Sequence, residues 1–342
     1  MTSSPLAWRD AQAGCSAVTG TMRAIVVRSF GGPEVLRPEL VPVPVPAPGE
    51  LLVEVVAAGV NPVDVSNCAD GSWAGISLPF VPGSDSSGVV RAAGPGVRGF
   101  ATGDAVFAMT DYLGTRNGSY AQFQAIPAAL AAPKPRGLSH AEAAAMPVAA
   151  GTAFDAIERL AIRSGETVAI FGAAGGVGGF ATQLAAGRGA RVVAVGRARA
   201  HDYLREIGAD VTIDHTSGDP VAQIAAAVGK VDALLDLAGG DVIPSGLPLI
   251  RCRGRVASIA ALAGDLDLAI DQNLTVHGVL VRPDGARLRT LARLAGNGEL
   301  RVRIRSEYPL DQAAAAHREV TRGGIPGKTV LRARPEPAAA AR

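Results

Sequence analysis

The stretch Thr167-Val-Ala-Ile-Phe-Gly-Ala-Ala-Gly-Gly-Val-Gly-Gly179 is the most informative segment of this 342-residue chain. It begins with an apolar run of strand length, passes into a glycine-rich turn, and continues into a helical pattern over Val177–Arg188. Glycines in such a turn let backbone N–H groups approach a pyrophosphate, and the helix N-terminus adds a partial positive charge. The strict G-x-G-x-x-G spacing is not met, since the best register, Ala173-x-Gly175-x-x-Gly178, has alanine first. The stretch therefore predicts a dinucleotide-binding turn, with a glycine-rich turn in a non-binding α/β protein as the alternative.

From about residue 151 onward, strands alternate with helices along the chain. Strands are predicted at Thr167–Phe171, Ala190–Val195, Val211–Ile213, Val231–Leu237, Arg255–Ala260 and Leu274–Val281, and helices include His201–Ile207 and Pro220–Val228. Nearly continuous apolar strands separated by helices are typical of a doubly wound parallel sheet that is buried on both faces. Leu274–Val281 is predicted as an edge strand, and an unpaired apolar edge favours a homodimer.

The second strand of this unit ends in Gly196, and Arg197 and Arg199 follow. Enzymes that use NAD place an Asp or Glu here to bind the ribose 2′-hydroxyl. A guanidinium instead pairs with a 2′-phosphate, which a carboxylate would repel. The sequence therefore predicts NADPH as the cofactor; the alternative is that both arginines are solvated loop charges. His215, after the third strand, is predicted to flank the adenine.

The part of the chain before the glycine-rich turn has a different texture. Short β-type runs separated by Gly/Pro clusters predict a mostly antiparallel β domain. β texture returns around Val302–Ile304 and Thr329–Leu331, so the last segment is predicted to rejoin that domain. We assign residues 22–145 and 283–334 to the β domain, 146–282 to the nucleotide-binding domain, and 1–21 and 335–342 to disordered ends. Val41–Pro48 is expected to follow the surface unpaired, because proline cannot donate to a ladder.

Composition excludes several classes of protein. The 33 Lys and Arg residues are spread along the chain and the net charge is +2, which argues against a nucleic-acid or membrane surface. No apolar run reaches the roughly 18 residues of a membrane span. The three cysteines are far apart, which excludes a cysteine-based structural zinc site and fits a reducing cytoplasm. The absence of a G-x-S-x-G elbow argues against a serine hydrolase.

Short motifs follow one another along the chain from Met22 to about Arg332. They are Ala57–Asp64, Pro82–Gly88, Gly103–Phe107, Gly118–Phe123, Gly151–Ala153, Gly172–Gly178, Gly208–Asp210 and Gly327–Leu331. In this order and spacing the chain resembles the zinc-independent quinone oxidoreductase branch of the medium-chain dehydrogenase/reductases. The resemblance implies an α/β protein with a GroES-like β domain, a Rossmann domain with a doubly wound parallel sheet, and a cleft between the two.

The resemblance also implies how a catalytic zinc would be lost. Zinc-bearing relatives have a cysteine at Asn61 and a His-Glu pair at Ser84-Asp85, and neither Asn nor Ser is a useful zinc ligand. Two further positions depart from the family pattern. Ser66 and Trp73 occur where many relatives have a tyrosine near the nicotinamide, and Ala200 replaces a lysine that often meets the 2′-phosphate.

The same resemblance gives a set of candidate site residues and no metal ligand. Asn61, Asp64 and Tyr112 are predicted to be catalytic, with a turn-forming role as the alternative for the first two and a solvated loop position for the third. The residues predicted to contact NADPH are Thr152, Ala174, Gly175, Gly176, Val177, Gly196, Arg197, Arg199, His215, Leu237, Ala238, Ile259, Ala260, Val279, Val281 and Lys328. Without a metal, the developing negative charge would be met by donors such as Asn61, a backbone N–H or water.

The sequence as a whole predicts a cytoplasmic, zinc-independent oxidoreductase that transfers hydride from NADPH to a quinone or another activated enone or carbonyl. Its partners are predicted to be a small-molecule substrate and a second copy of the chain, with neither nucleic acid nor membrane. Two alternatives stay open. One is an enoyl-thioester reductase, which needs a basic channel for the phosphate of its carrier, and the other is a non-enzymatic NADPH-binding structural or RNA-associated protein.

Overall fold

The computed structural model describes residues 18–114 and 117–335. The predicted disordered ends fall mainly outside the described residues. Within the described residues the first strand begins at Thr21, one residue before the predicted start of the folded part. No helix in these two ranges is long and apolar enough to cross a membrane.

In the described residues the strands are β1 (Thr21–Val26), β2 (Arg37–Pro42), β3 (Glu50–Val60), β4 (Asp85–Ala93), β5 (Ala105–Met109), β6 (Phe123–Pro127), β7 (Ala131–Pro133), β8 (Thr167–Phe171), β9 (Arg191–Gly196), β10 (Val211–Asp214), β11 (Val231–Asp236), β12 (Ile250–Ser258), β13 (Thr275–Gly278), β14 (Ile304–Pro309) and β15 (Lys328–Arg332). The α-helices are α1 (Pro62–Ala69), α2 (His140–Ala144), α3 (Pro147–Arg159), α4 (Gly176–Gly187), α5 (His201–Glu206), α6 (Pro220–Val228), α7 (Val242–Gly246), α8 (Asp267–Asp271), α9 (Gly285–Gly296) and α10 (Ala313–Arg322).

Six parallel strands form the Rossmann sheet in the order β10-β9-β8-β11-β12-β13. Alternate residues of β8 pack on opposite faces: Val168 and Ile170 lie on the side of α3, α4 and α9, and Ala169 and Phe171 lie on the side of α6 and α7. Because helices cover both faces, positions 168–171 of the strand are all apolar. The predicted fold class is confirmed, and the strand within Leu274–Val281 lies at the edge of the sheet as expected.

The second sheet has the strand order β14-β15-β3-β4-β5-β7, with β6 also paired to β3. β15 runs antiparallel to β3 and places Leu331 opposite Ala58, so strands from the end of the chain complete the sheet that the first part builds. α9 contacts both β7 and α3 and thereby joins this GroES-like domain to the Rossmann domain.

Two local predictions are corrected. Val41–Pro48 is not wholly unpaired, because β2 extends to Pro42 and places Val41 opposite Met22 of β1. β2 has β1 as its partner in a two-stranded sheet, and such an edge tolerates proline on its free side. The strand expected at Val302–Ile304 begins only at the last of these residues and continues through polar residues 305–307. β14 ends its sheet, so one edge is unpaired and the strand carries no continuous apolar pattern.

Candidate active site

The glycine-rich turn connects β8 to α4 at the carboxyl end of the Rossmann sheet. Gly172 has a φ angle of +78°, a left-handed conformation that favours glycine. A Cβ at Gly178 would lie 2.3 Å from the carbonyl oxygen of Gly172. The close packing of α4 against the turn therefore requires glycine at position 178. The motif register that begins at Ala173 is therefore corrected. The turn glycine is Gly172, and the spacing is Gly172-x-x-Gly175-x-x-Gly178, while Ala173 is buried.

A cavity of about 610 Å³ lies over the carboxyl ends of β8, β9 and β10, next to the glycine-rich turn. The predicted cofactor-binding residues that line it are Ala174, Gly175, Gly196, Arg197, His215, Leu237 and Ala238. Asp219 also lines this cavity, but its carboxylate accepts hydrogen bonds from the backbone N–H groups of Val221 and Ala222 at the start of α6. The concave, largely apolar wall with few polar groups is typical of a ligand site.

A second cavity, of about 530 Å³, lies between the two domains. It is lined by the predicted cofactor residues Thr152, Gly175, Gly176, Val177, Leu237, Ile259, Val279, Val281 and Lys328, and by the predicted catalytic residues Asn61 and Tyr112. Gly172, Gly175 and Leu237 belong to the walls of both cavities, so the two form one groove that crosses the glycine-rich turn.

Three predicted site residues lie outside both cavity walls. The guanidinium of Arg199 donates to the carbonyl oxygen of Gly324 at 2.6 Å, and Gly324 itself belongs to both walls. Ala260 follows the lining residue Ile259, and its N–H donates to the Ser258 hydroxyl. Asp64 is buried beneath Asn61, one turn into α1. Arg199 and Asp64 therefore support groups that line the groove.

Asn61 lies between the end of β3 and the start of α1, and both ends of its amide are engaged. Its Nδ2 donates to Asp85 Oδ2 at 2.9 Å and to Asp64 Oδ2 at 3.3 Å. Its Oδ1 accepts a hydrogen bond from the Lys328 ammonium, which also donates to the Val60 carbonyl oxygen at 3.1 Å. We call Asn61, Asp64, Ser84, Asp85 and Lys328 the Asn61 cluster. Because the Asn61 amide hydrogens are directed at carboxylates, this amide is not placed to donate to a substrate.

The two carboxylates of the cluster are fully buried and hydrogen-bonded. Asp64 accepts from the backbone N–H of Asn61 at 2.8 Å and from the Ser84 hydroxyl at 2.6 Å. Asp85 Oδ1 accepts from the backbone N–H of Val148 at 2.8 Å. Burial raises the pKa of Asp85 to about 7, against the opposing effect of the nearby Lys328 charge. Burial also raises the pKa of Asp64 and lowers the pKa of Lys328.

A zinc ion does not fit the residues at this position. The family resemblance of the sequence would place zinc ligands at Asn61, Ser84 and Asp85, and the oxygen atoms of these side chains already make the hydrogen bonds described above. The Lys328 ammonium lies against the Asn61 oxygen and would repel a cation there. Within residues 18–114 and 117–335, no group of three or more His, Cys, Asp or Glu side chains is arranged to hold a metal.

Tyr112 joins the two domains. Its buried hydroxyl donates to the carbonyl oxygen of Val281 at 2.6 Å, and its own carbonyl oxygen accepts from Asn67 Nδ2 at 3.0 Å. Burial raises the pKa of the Tyr112 hydroxyl. The phenolic proton therefore lies in an interdomain hydrogen bond, and the position lines the cleft without presenting a free acid.

The mouth of the cleft contains apolar residues that sequence reasoning did not assign to the site. Trp73, Leu280 and Ile325 line it, and they are 52%, 56% and 52% exposed. Trp73 stands out in the sequence only as a departure from the family tyrosine. Ile325 follows Gly323-Gly324 and precedes a proline, and an isolated apolar residue in such a loop is the one signal that could have found it.

Comparison with known proteins agrees with this architecture. The family "Alcohol dehydrogenase GroES-like domain" matches residues 47–136, and the family "Zinc-binding dehydrogenase" matches residues 207–331. The quinone oxidoreductase of Rattus norvegicus is 32% identical over 325 residues, which cover 91% of this chain and 97% of that protein. The mitochondrial NAD(P)H oxidoreductase RTN4IP1 of Mus musculus is 30% identical over 92% of this chain and 90% of its own length.

A solved structure described as an NAD-dependent alcohol dehydrogenase superposes with a TM-score of 0.85 at 32% identity, over 91% of this chain and 99% of that one. Fold, groove and full-length relatives therefore agree, and the chain is an oxidoreductase that belongs to the quinone oxidoreductase branch of the medium-chain dehydrogenase/reductase superfamily.

Proposed function

We propose that the protein reduces a quinone, or another activated enone or carbonyl, with NADPH and without zinc. The observation that carries the proposal is the continuous groove from Arg197 across the glycine-rich turn to an apolar cleft whose floor is the Asn61 cluster. Quinone oxidoreductase relatives that cover the whole folded chain support the same reaction class.

The cofactor is assigned from the residues of the groove. The glycine-rich turn and the N-terminus of α4 suit a pyrophosphate, and Arg197 lines the cavity at the end of β9 where Gly196 leaves out the acid typical of NAD enzymes. A guanidinium at this point favours a 2′-phosphate. When bound, NADPH supplies the hydride, while Thr152, Val279 and Val281 line the part of the cleft expected to hold the nicotinamide ring.

The cleft suits a flat, apolar acceptor. Trp73 and Ile325 present apolar surface at its mouth, and Val63 continues that surface inward. An apolar acceptor covers these side chains and displaces water from the reacting carbon. Reduction of a quinone does not require a tyrosine as proton donor beside the nicotinamide ring. This agrees with Ser66 and Trp73, which occur where the resemblance implies a tyrosine in many relatives.

The enoyl-thioester alternative requires a free basic group for the carrier phosphate. Among the described residues that line the cleft, two are basic. Lys328 is buried at the floor, away from the open end where a carrier phosphate would lie. The Nε of Arg305 lies 2.5 Å from Glu319 Oε1, and its guanidinium also donates to Thr329 Oγ1. A guanidinium with these partners is already neutralised. The geometry therefore favours the quinone and enone reductase.

Turnover by the purified full-length chain tests the proposal. NADPH consumption is measured with phenanthrenequinone and, separately, with a crotonyl thioester. RNA binding is measured in a parallel assay. We expect turnover of the quinone that persists after treatment with a chelator. Faster reduction of the thioester would replace the proposal by the enoyl-thioester reductase. RNA binding without turnover would indicate the non-enzymatic alternative, and stoichiometric zinc whose removal abolishes activity would refute the zinc-free reaction.

We also propose a homodimer and a reducing compartment such as the cytoplasm. β13 is the edge strand of the Rossmann sheet, and the exposed Leu262 and Ile270 are close to it in sequence, so this edge suits pairing with a second copy.

The cysteines bear on the compartment. Cys68 and Cys252 are free thiols in the described part of the chain, as expected where disulfides do not form.

A further inference from the structure

Lys328 reaches the floor of the cleft because of the register of β15. This strand runs antiparallel to β3 with Thr329 opposite Val60, which brings Lys328 next to Asn61. The methylene stem of Lys328 passes the start of α4, where a Cβ at Gly176 would lie 2.7 Å from the lysine Cδ. The absence of a side chain at Gly176 thus leaves room for the lysine stem.

In the part of the chain that the structure describes, the Lys328 ammonium has no carboxylate as a direct hydrogen-bond partner. In the described residues its two hydrogen-bond acceptors are the Val60 carbonyl oxygen and the Asn61 amide oxygen, both of which are neutral. An ammonium has three N–H donors, so one donor is not used by these contacts. The balancing carboxylate Asp85 is reached through the Asn61 amide, which separates it from the lysine.

Three other polar side chains of the cleft have donors that are already engaged. The Asn61 amide hydrogens are directed at Asp85 and Asp64, and the Tyr112 hydroxyl donates to Val281. Arg305 is paired with Glu319. Compared with these three side chains, Lys328 combines a formal charge with an N–H that its two contacts leave available. In a buried site such a charge acts on a developing anion with little screening.

We propose that the Lys328 ammonium is a catalytic group that donates a hydrogen bond to the acceptor oxygen as negative charge develops on it. The inference deepens the proposed function and rests on it. As the new C–H bond forms at the acceptor carbon, the π electron pair moves onto the oxygen, which the ammonium stabilises. The oxygen then takes a proton from water, and Lys328 keeps its own protons. In this role the lysine supplies the positive charge that a Lewis-acid metal provides in other enzymes.

Binding of 4-nitrophenol tests the inference without turnover, because its phenolate resembles the anion of a reduced quinone and absorbs visible light. The full-length chain is titrated without cofactor at a fixed pH. We expect wild type to increase the phenolate fraction, and Lys328→Met to lose this increase. Lys328→Arg should retain most of it. Lys230→Met removes an exposed lysine elsewhere and is the matched control, which should behave as wild type.

A second variant guards against misfolding of the methionine variant. Asn61→Asp keeps the lysine and nearly the same side-chain volume but places a carboxylate against the ammonium, so it should also lose the phenolate increase. Circular dichroism and thermal unfolding check that each variant is folded. The inference is overturned if wild type leaves the ionisation of nitrophenol unchanged, or if folded Lys328→Met and Asn61→Asp both ionise it as wild type does.

Activity separates failure of the inference from failure of the proposed function. In quinone reduction, Lys328→Met should lower kcat about 100-fold, as loss of one donor to a developing oxyanion does elsewhere, with little change in the Kd for NADPH. The cofactor contact predicted for Lys328 from the sequence would instead raise that Kd, and a raised Kd with unchanged kcat would overturn the inference. If Lys328→Met reduces quinones as fast as wild type does, the inference is overturned and the proposed function still holds. Lysine-dependent phenolate binding in a protein that reduces neither quinones nor enones would refute the function and leave an anion site.

Discussion

Cofactor selectivity tests the groove most sharply, because two neighbouring arginines have different surroundings. Arg197 lines the cavity beyond the glycine-rich turn, whereas Arg199 donates to the carbonyl oxygen of Gly324. Both arginines are predicted from the sequence to meet a 2′-phosphate, but the geometry separates them. Arg197→Ala is expected to weaken binding of NADPH and to leave binding of NADH nearly unchanged. Arg199→Ala is expected to weaken both cofactors equally, because it loosens a wall that both would contact.

The magnitude follows from the hydrogen bonds involved. A hydrogen bond to a charged partner contributes about 1.5–3 kcal/mol, and the exposed position of Arg197 places its contribution at the low end. Since about 1.4 kcal/mol corresponds to a tenfold change in affinity, Arg197→Ala should raise the Kd for NADPH about tenfold. The Arg199 bond to Gly324 is solvent-exposed, so its loss should change each Kd by less than about tenfold.

The assay measures the Kd of both cofactors by fluorescence titration, and their KM values with phenanthrenequinone. Arg205→Ala is the matched control, because Arg205 is an exposed arginine of α5 that does not line this cavity and that pairs with Asp202 and Thr212. Equal use of NADH and NADPH by wild type would show that the 2′-phosphate assignment is wrong. The same conclusion follows if Arg197→Ala keeps its preference for NADPH, or if Arg199→Ala alone removes that preference.

Further predictions concern the cleft, the domain contact, pH and assembly. Trp73→Ala should raise the KM for phenanthrenequinone about tenfold at similar kcat, because the acceptor would lose apolar contact with the half-exposed indole. Trp73→Phe should raise the KM less, and unchanged kinetics in the alanine variant would exclude this contact. Tyr112→Phe should lower the free energy of unfolding in urea by about 1 kcal/mol through loss of the bond to Val281, and a large loss of kcat without loss of stability would restore the catalytic role of Tyr112. Between about pH 4 and pH 7 the stability of wild type relative to that of Asp85→Asn should fall as pH rises, because Asp85, with its pKa raised to about 7, binds a proton in the folded state that the unfolded chain has released. A stability difference between the two proteins that does not change with pH would contradict the assignment. Light scattering at micromolar concentration should find a dimer, since β13 leaves one edge of the Rossmann sheet unpaired, and a monomer would contradict this.

The Rossmann domain could be predicted closely because its signals are local. β8 occupies Thr167–Phe171 and α6 occupies Pro220–Val228, the same bounds that the apolar runs indicated. A buried parallel strand is apolar at nearly every position and a helix begins after a capping residue, so a short window of sequence is sufficient. The carboxyl ends of such strands then meet at one edge of the sheet, which is why predicted residues as distant as Gly196 and His215 line one cavity.

The edge strands and the turn glycine were harder to place. β14 carries polar residues at 305–307 because one edge of it is unpaired, and no alternating pattern marks its position. Gly172 falls outside the G-x-G-x-x-G spacing, so that pattern alone does not identify it as the turn glycine. A positive φ angle at Gly172 is a property of the folded turn, and the longer Gly172-x-x-Gly175-x-x-Gly178 spacing was the signal that could have shown it.

The chemistry of the cleft floor depends on a contact that no local pattern contains. Asn61 and Lys328 are 267 residues apart and become neighbours only through the antiparallel register of β15 on β3. Taken singly, Asn61 is an amide that could donate to a substrate, and Lys328 is a cation that could bind a phosphate. Together they form a different unit, because the lysine occupies the amide oxygen while Asp85 occupies the amide nitrogen. A shift of one residue in that register would move Lys328 to the opposite face of the sheet and break the cluster. The strand pairing thus fixes which of the two side chains can meet an anion, and it selects the lysine.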